Sequence, residues 1–166
     1  VLDLAVGAVF LVAHSERVGA FHQVVTEVAV SGARQGEFGG FTVPAINLRS
    51  LTYDLARSIF RVAKKHNSGA FIFEIARSEI GYTNQPPVEY SSMVLAAAVK
   101  ENYSGPIFIQ GDHFQVNAAK FQENPDKEIE ALKILIADAI SSGFHNIDID
   151  SSTLVDLSEP DLRKQQ

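Results

Sequence analysis

The chain has no cysteine. Disulfides are therefore excluded, and so are zinc sites built from thiolates. Any metal must be held by His, Asp or Glu, and a reducing, cytoplasmic setting is the default expectation. Positive charge is also short. Lys and Arg number 14 against 20 Asp and Glu, a net charge of -6. That balance argues against a nucleic-acid partner, which calls for a basic patch. It leaves small anionic substrates open, because local donors hold those. No membrane-spanning run is expected. The apolar start, residues 1–13, is too short to cross a bilayer and carries Asp3. It also lacks the basic opening of a signal peptide.

What is present is an ordinary globular mix, 46% hydrophobic and 20% charged over 166 residues. That is enough for one domain with a core. From residue 41 onward, short apolar runs alternate with longer helical patterns. Residues 41–47, 70–76, 106–112 and 146–150 read as four strands, bounded by Gly, Pro or Asn. Between them, Ser50 is the expected cap of a helix with an apolar face of Leu55, Ile59 and Val62. Lys64, Lys65 and His66 suit its C-terminus, and Asn67-Ser68-Gly69 stops it. A second helix is expected from about Pro87. A third has Asn124 as cap, Pro125 at its first position, and Gly143 at its end. Its predicted face is Ile129, Leu132, Leu135, Ile136, Ala139 and Ile140.

Strands alternating with helices define an α/β class with a parallel sheet. Two architectures compete, a (β/α)8 TIM barrel and a doubly wound open sheet. No Gly-x-Gly-x-x-Gly follows the first predicted strand, which counts against the dinucleotide-binding version of the latter. The expected fold is the first half of a TIM barrel over residues 41–166. Ser158-Glu-Pro-Asp161 resembles a capping box opening a fourth helix, which implies a chain cut from a longer parent. Residues 1–40 are expected to be a helical segment and a Gly-rich loop. An additional strand and helix is the other reading there.

In a barrel, chemistry sits at the C-terminal ends of the strands. The ends of these predicted strands carry Asn47, then Glu74 and Arg77, then Asp112 and His113, then Asp150, Ser151 and Ser152. A neutral imidazole at His113 is a good ligand for a divalent metal. A carboxylate beside it, Asp112, can exchange protons with a substrate hydroxyl. The bland alternative makes Asp112 a loop cap and His113 a rim histidine. Asp148 and Asp150 alternate on β-spacing and share a face; Asp150 is read as functional and Asp148 as structural. Arg77 suits bidentate binding of a phosphate, or a structural ion pair, with Glu74 as one partner. The loop Gly81-Tyr-Thr-Asn-Gln-Pro-Pro87 lies on the same end. His14, His22, His66 and His145 show no ligand spacing.

Three motifs together resemble the class II, metal-dependent ketose-bisphosphate aldolases. They are Val43-Pro-Ala-Ile-Asn47, Gly111-Asp112-His113-Phe114 and Ile149-Asp-Ser-Ser-Thr-Leu154, in that order. The resemblance covers about residues 41–160. It implies a zinc enzyme that cleaves fructose or tagatose bisphosphate to glycerone phosphate and an aldehyde. It implies His113 as a zinc ligand, Asp112 as the catalytic proton carrier, and Asp150 at the metal or at a second cation. Asn47, Arg77 and Ser151 are the expected substrate contacts. A homo-oligomer, dimer or tetramer, is also implied. The family's remaining zinc ligands, a Glu and two His, belong to later strands, so this chain alone is expected to be inactive. Ala76 stands where many members have Ser. The Gly-Asp-His-x-x-x-Asn run and the Gly-Tyr-Thr-x-x-Pro-Pro loop also resemble the non-catalytic subunits of tagatose-bisphosphate aldolases. That is the alternative function.

Overall fold

A computed structural model describes residues 43–165. The expectations for residues 1–40, and for His14 and His22, lie outside the described residues. Four strands form a parallel sheet in the order β1-β2-β3-β4. They are β1 (Ala45–Asn47), β2 (Ile72–Ala76), β3 (Phe108–Gln115) and β4 (Asn146–Asp150). Every strand pairs with its predecessor, so the described sheet has no point where strand order reverses. The crossovers are helices: α1 (Thr52–His66) after β1, α2 (Arg77–Thr83) and α3 (Pro87–Lys100) after β2, and α4 (Ala118–Glu123) and α5 (Pro125–Ser141) after β3. The fold is α/β, as the alternation implied. No helix among the described residues is long and apolar enough to cross a membrane.

Helix ends follow from local chemistry. Asn124 caps α5 by accepting a hydrogen bond from the Lys127 N–H at 3.0 Å, with Pro125 at the first position. At the other end, Gly143 takes φ +89°. The Phe144 N–H reaches the Ala139 carbonyl and the Gly143 N–H that of Ile140, both at 3.0 Å. This is a Schellman closure, and it satisfies carbonyls the helix would leave open. Asn67 ends α1 the same way, at φ 48°. The N-terminus of α1 departs from expectation. Its cap is Leu51 in the left-handed region, with no side-chain bond, and not Ser50.

The buried face of α1 is also displaced from the predicted one. Thr52, Ala56, Phe60 and Ala63 are buried, while Leu55 and Val62 are exposed. Both stripes have spacings of three and four, so periodicity admits either. Phe60 decides between them, since a fully buried aromatic ring outweighs an aliphatic stripe. Its ring meets Phe73 edge-on at 5.2 Å and Tyr103 at 4.7 Å, with Phe71 beside them. The displaced stripe of Leu55, Ile59 and Val62 instead joins Pro44, Ile46 and Phe71 around an apolar groove of about 1000 Å³. On α5, Leu132 and Ala139 are buried as expected, but Ile129 and Ile140 are exposed.

Phe73, Ile75, Ile109 and Phe114 turn one face of the sheet into this core, against Phe60, Val94, Ala97 and Leu132. Alternation sends their neighbours to the other face. There, Asn47, Glu74, Gln110 and Asn146 stand in register, one from each strand. Beyond β4, the expected fourth helix does not form among the described residues. The Ser158 hydroxyl and N–H both donate to Asp156 Oδ1, at 2.6 and 2.9 Å. Such short-range bonds compete with helix initiation.

Candidate metal centre

β3 runs three residues past its expected end, and the extension contains a bulge. Gly111 pairs with Ile147 and Phe114 with Ile149, with a register shift between them. Asp112 and His113 therefore oppose the single residue Asp148. An inserted residue breaks the alternation of a strand. Here His113 takes it up at φ 48°, a left-handed conformation that costs a residue with a Cβ about 1–2 kcal/mol. The outcome is that consecutive side chains, Asp112 and His113, meet on one face. Phe114 then returns to the core, where it is fully buried.

His113 sits among three carboxylates. Its Nε2 is 3.6 Å from Asp112 Oδ1, and its Nδ1 is 3.4 Å from both Asp148 Oδ2 and Asp150 Oδ2. Ligand atoms of Asp112, His113 and Asp148 all lie within 4.8 Å of one another. This group can hold a metal ion. One imidazole and two carboxylates suit a divalent cation, and the set contains no cation of its own. His113 and Asp148 are solvent-accessible, with side chains 63% and 51% exposed, so an ion can reach them.

Asp150 is a different kind of neighbour. Its Oδ2 accepts from Gln115 Nε2 and its Oδ1 from the Ser152 N–H, each at 2.8 Å. The Ser152 bonds, with help from Gln115, hold its carboxyl below the usual range. It is thus fixed as an anion on the Nδ1 side of His113, the side that Asp148 also faces. One level down the same face, Glu74 accepts from Gln110 Nε2 at 2.6 Å. Burial pushes its carboxyl up, and the Gln110 bond opposes that.

Two of the expected substrate contacts are engaged by protein partners. Arg77 Nη1 donates to Glu128 Oε1 at 2.6 Å and to the Gln115 carbonyl at 2.7 Å. Its charge is committed to α5, and its partner is not Glu74. Asn47 Nδ2 donates to Glu79 Oε2 at 2.8 Å, while its buried Oδ1 has no hydrogen-bond partner. Ser151 is exposed and precedes a short 3-10 turn, Ser152–Leu154. The structure brings together Asp112, His113 and Asp150, and adds Asp148, which the sequence reading had set aside as structural.

Two buried carboxylates, to which the sequence assigned no role, organise this end of the sheet. Glu79 accepts from Asn47, from Arg49 Nε and from the Ala76 N–H. Its spacing, three residues after the helix cap Ala76, is the available signal. Glu128 takes Arg77 and the Asn117 N–H. Sitting on a helix face otherwise read as solvated, it offered none. No protein-family model matches the chain, and comparison with curated proteins finds no match either.

Proposed function

We propose that this chain supplies the first half of a class II, metal-dependent ketose-bisphosphate aldolase. The observation that carries the reading is the convergence of Asp112, His113 and Asp148 on two adjacent parallel strands, at the bulge in the C-terminal half of β3. The sequential strand order supports a barrel wall over a doubly wound sheet, because the latter needs a reversal. The apolar groove beside β1 supports it too, since a closing barrel would lay its last unit there. The three sequence motifs add the family.

The donor set fits a divalent cation, and zinc is the ion that the resemblance names. His113, through Nδ1, and Asp148 would hold it from this half, with Asp150, 3.4 Å from the same nitrogen, within reach as a further ligand. When bound, the cation polarises the ketose carbonyl as a Lewis acid. Asp112 takes the proton of the substrate hydroxyl two carbons away, the step that releases the carbon–carbon bond. The Gln115 and Ser152 bonds keep Asp150 ionised and its geometry set. A phosphorylated sugar is the substrate, and the enzyme is cytoplasmic and oligomeric on this reading.

The test is cleavage of fructose and tagatose bisphosphates by the intact protein that carries this chain. Cleavage lost with a chelator and restored by Zn²⁺ is the expected result. Asp112→Asn should abolish it and leave Zn²⁺ bound. Loss of Zn²⁺ in that variant would make Asp112 a ligand. No cleavage of either sugar by the wild type would overturn the enzyme reading in favour of a non-catalytic barrel subunit.

A further inference from the structure

We infer that Gly111 and Phe114 are positioning residues that set the metal-binding geometry of His113; the inference rests on the metal reading above. The two flank the bulge on the core side of β3. A Cβ built on Gly111 would lie 2.5 Å from Phe114 Cε1, 2.8 Å from Cζ and 2.9 Å from Cδ1. The ring therefore occupies the space that any larger residue at 111 would need. Phe114 is fully buried, so the ring cannot swing out into water.

This close approach is coupled to His113 through the backbone. Gly111 and Phe114 are the last paired residues before and after the irregularity, held to Ile147 and Ile149. Between two fixed pairs only Asp112 and His113 can absorb the extra length, and His113 does so at φ 48°. Pushing the ring away from residue 111 would shift the pair at 114. It would then change the angle at which His113 faces Asp148, now 3.4 Å away. Neither Gly111 nor Phe114 touches the ion; both act through the ligand's backbone. Supporting residues of this kind typically change metal affinity by about 10–100-fold.

The experiment is Zn²⁺ titration of the intact protein that carries this chain, against a competing chromophoric chelator, with far-UV circular dichroism to verify folding. Gly111→Ala is expected to weaken Zn²⁺ binding by about 10–100-fold. Gly111→Ala combined with Phe114→Leu should recover much of that loss, because Leu lacks the atoms corresponding to Cε1 and Cζ. Phe114→Leu alone should weaken binding. Phe60→Leu, an equal loss of core volume away from the bulge, should lower the melting temperature and leave affinity unchanged. A folded Gly111→Ala with wild-type affinity would overturn the inference. So would a double variant as weak as the single one. If Gly111→Ala does not fold, the Phe114→Leu and Phe60→Leu comparison decides, and equal Zn²⁺ affinities in the two would overturn the inference. Wild type and His113→Ala with the same affinity would instead remove the metal reading itself.

Discussion

Replacing Arg77 with Met keeps the length of the side chain and removes the cation that Glu128 faces. Glu128 would retain only the Asn117 N–H, at 2.8 Å. Breaking a fully buried ion pair from one side costs about 3–5 kcal/mol, because the remaining charge is stranded. The two side chains are 18% and 2% exposed, so screening and protonation of Glu128 reduce this to about 2–3 kcal/mol. In a chain of 166 residues, each kcal/mol moves the melting temperature by about 2–4 °C. The expected drop is about 5–10 °C at neutral pH, read by circular dichroism. Zn²⁺ affinity should be nearly unchanged. Arg77→Lys should recover only part of the loss, since an ammonium cannot reach Glu128 and the Gln115 carbonyl in the same planar geometry. A drop under about 2 °C would refute the assignment of Arg77 as a clamp. An unchanged melting temperature with weaker binding of the bisphosphate substrate would return Arg77 to the role of phosphate ligand.

Acid should unfold the protein through the same carboxylates. The Arg77 hydrogen bond holds Glu128 below its usual range. Burial pushes Glu79 up, but its bonds from the Ala76 N–H, Asn47 and Arg49 outweigh this and leave it lowered. A lowered carboxyl binds its proton less tightly folded than unfolded. Its stabilisation is therefore complete above the ordinary value of 4.5 and is lost as pH falls through the folded values below it. Melting temperature should decline steeply on that acid side, and Glu128→Gln should flatten the decline; an unaltered profile in that variant would count against the assignment. The two stripes of α1 give a second comparison. In this chain on its own, Phe60→Ala should cost about 3–5 kcal/mol, whereas Leu55→Gln with Val62→Gln should cost under about 1 kcal/mol. Equal losses in urea titrations would show that the groove face is packed.

Much of the scaffold was legible because it rests on local signals. β4 begins and ends where its apolar run does, and Asn124-Pro125 and Gly143 mark both ends of α5. Asp112 and His113 stood out as two ionisable residues at the end of an apolar strand pattern. What was hidden depended on tertiary choices. The bulge is invisible to alternation, because it is a defect in alternation. Asp148 was set aside for the same reason: its partner lies across the bulge, on a strand 35 residues away in sequence (148 less 113). The α1 face could not be chosen by spacing when two stripes satisfied it. Arg77 read equally well as phosphate ligand or clamp until Glu128 was placed beside it.

The strand order also bears on how the chain comes to be folded. Pairing partners are 27 residues apart from β1 to β2 (Ala45 to Ile72) and 36 from β2 to β3 (Ile72 to Phe108). They are again 36 apart from β3 to β4 (Gln110 to Asn146). At translation rates of about 5–20 residues per second, each new strand emerges roughly 1–7 s after its partner. Among the described strands, β2, β3 and β4 each arrive after the neighbour they pair with has been made. Each arriving segment finds a template edge already exposed, so the sheet can grow in the direction of synthesis, with one growing edge at risk of wrong pairing at any moment.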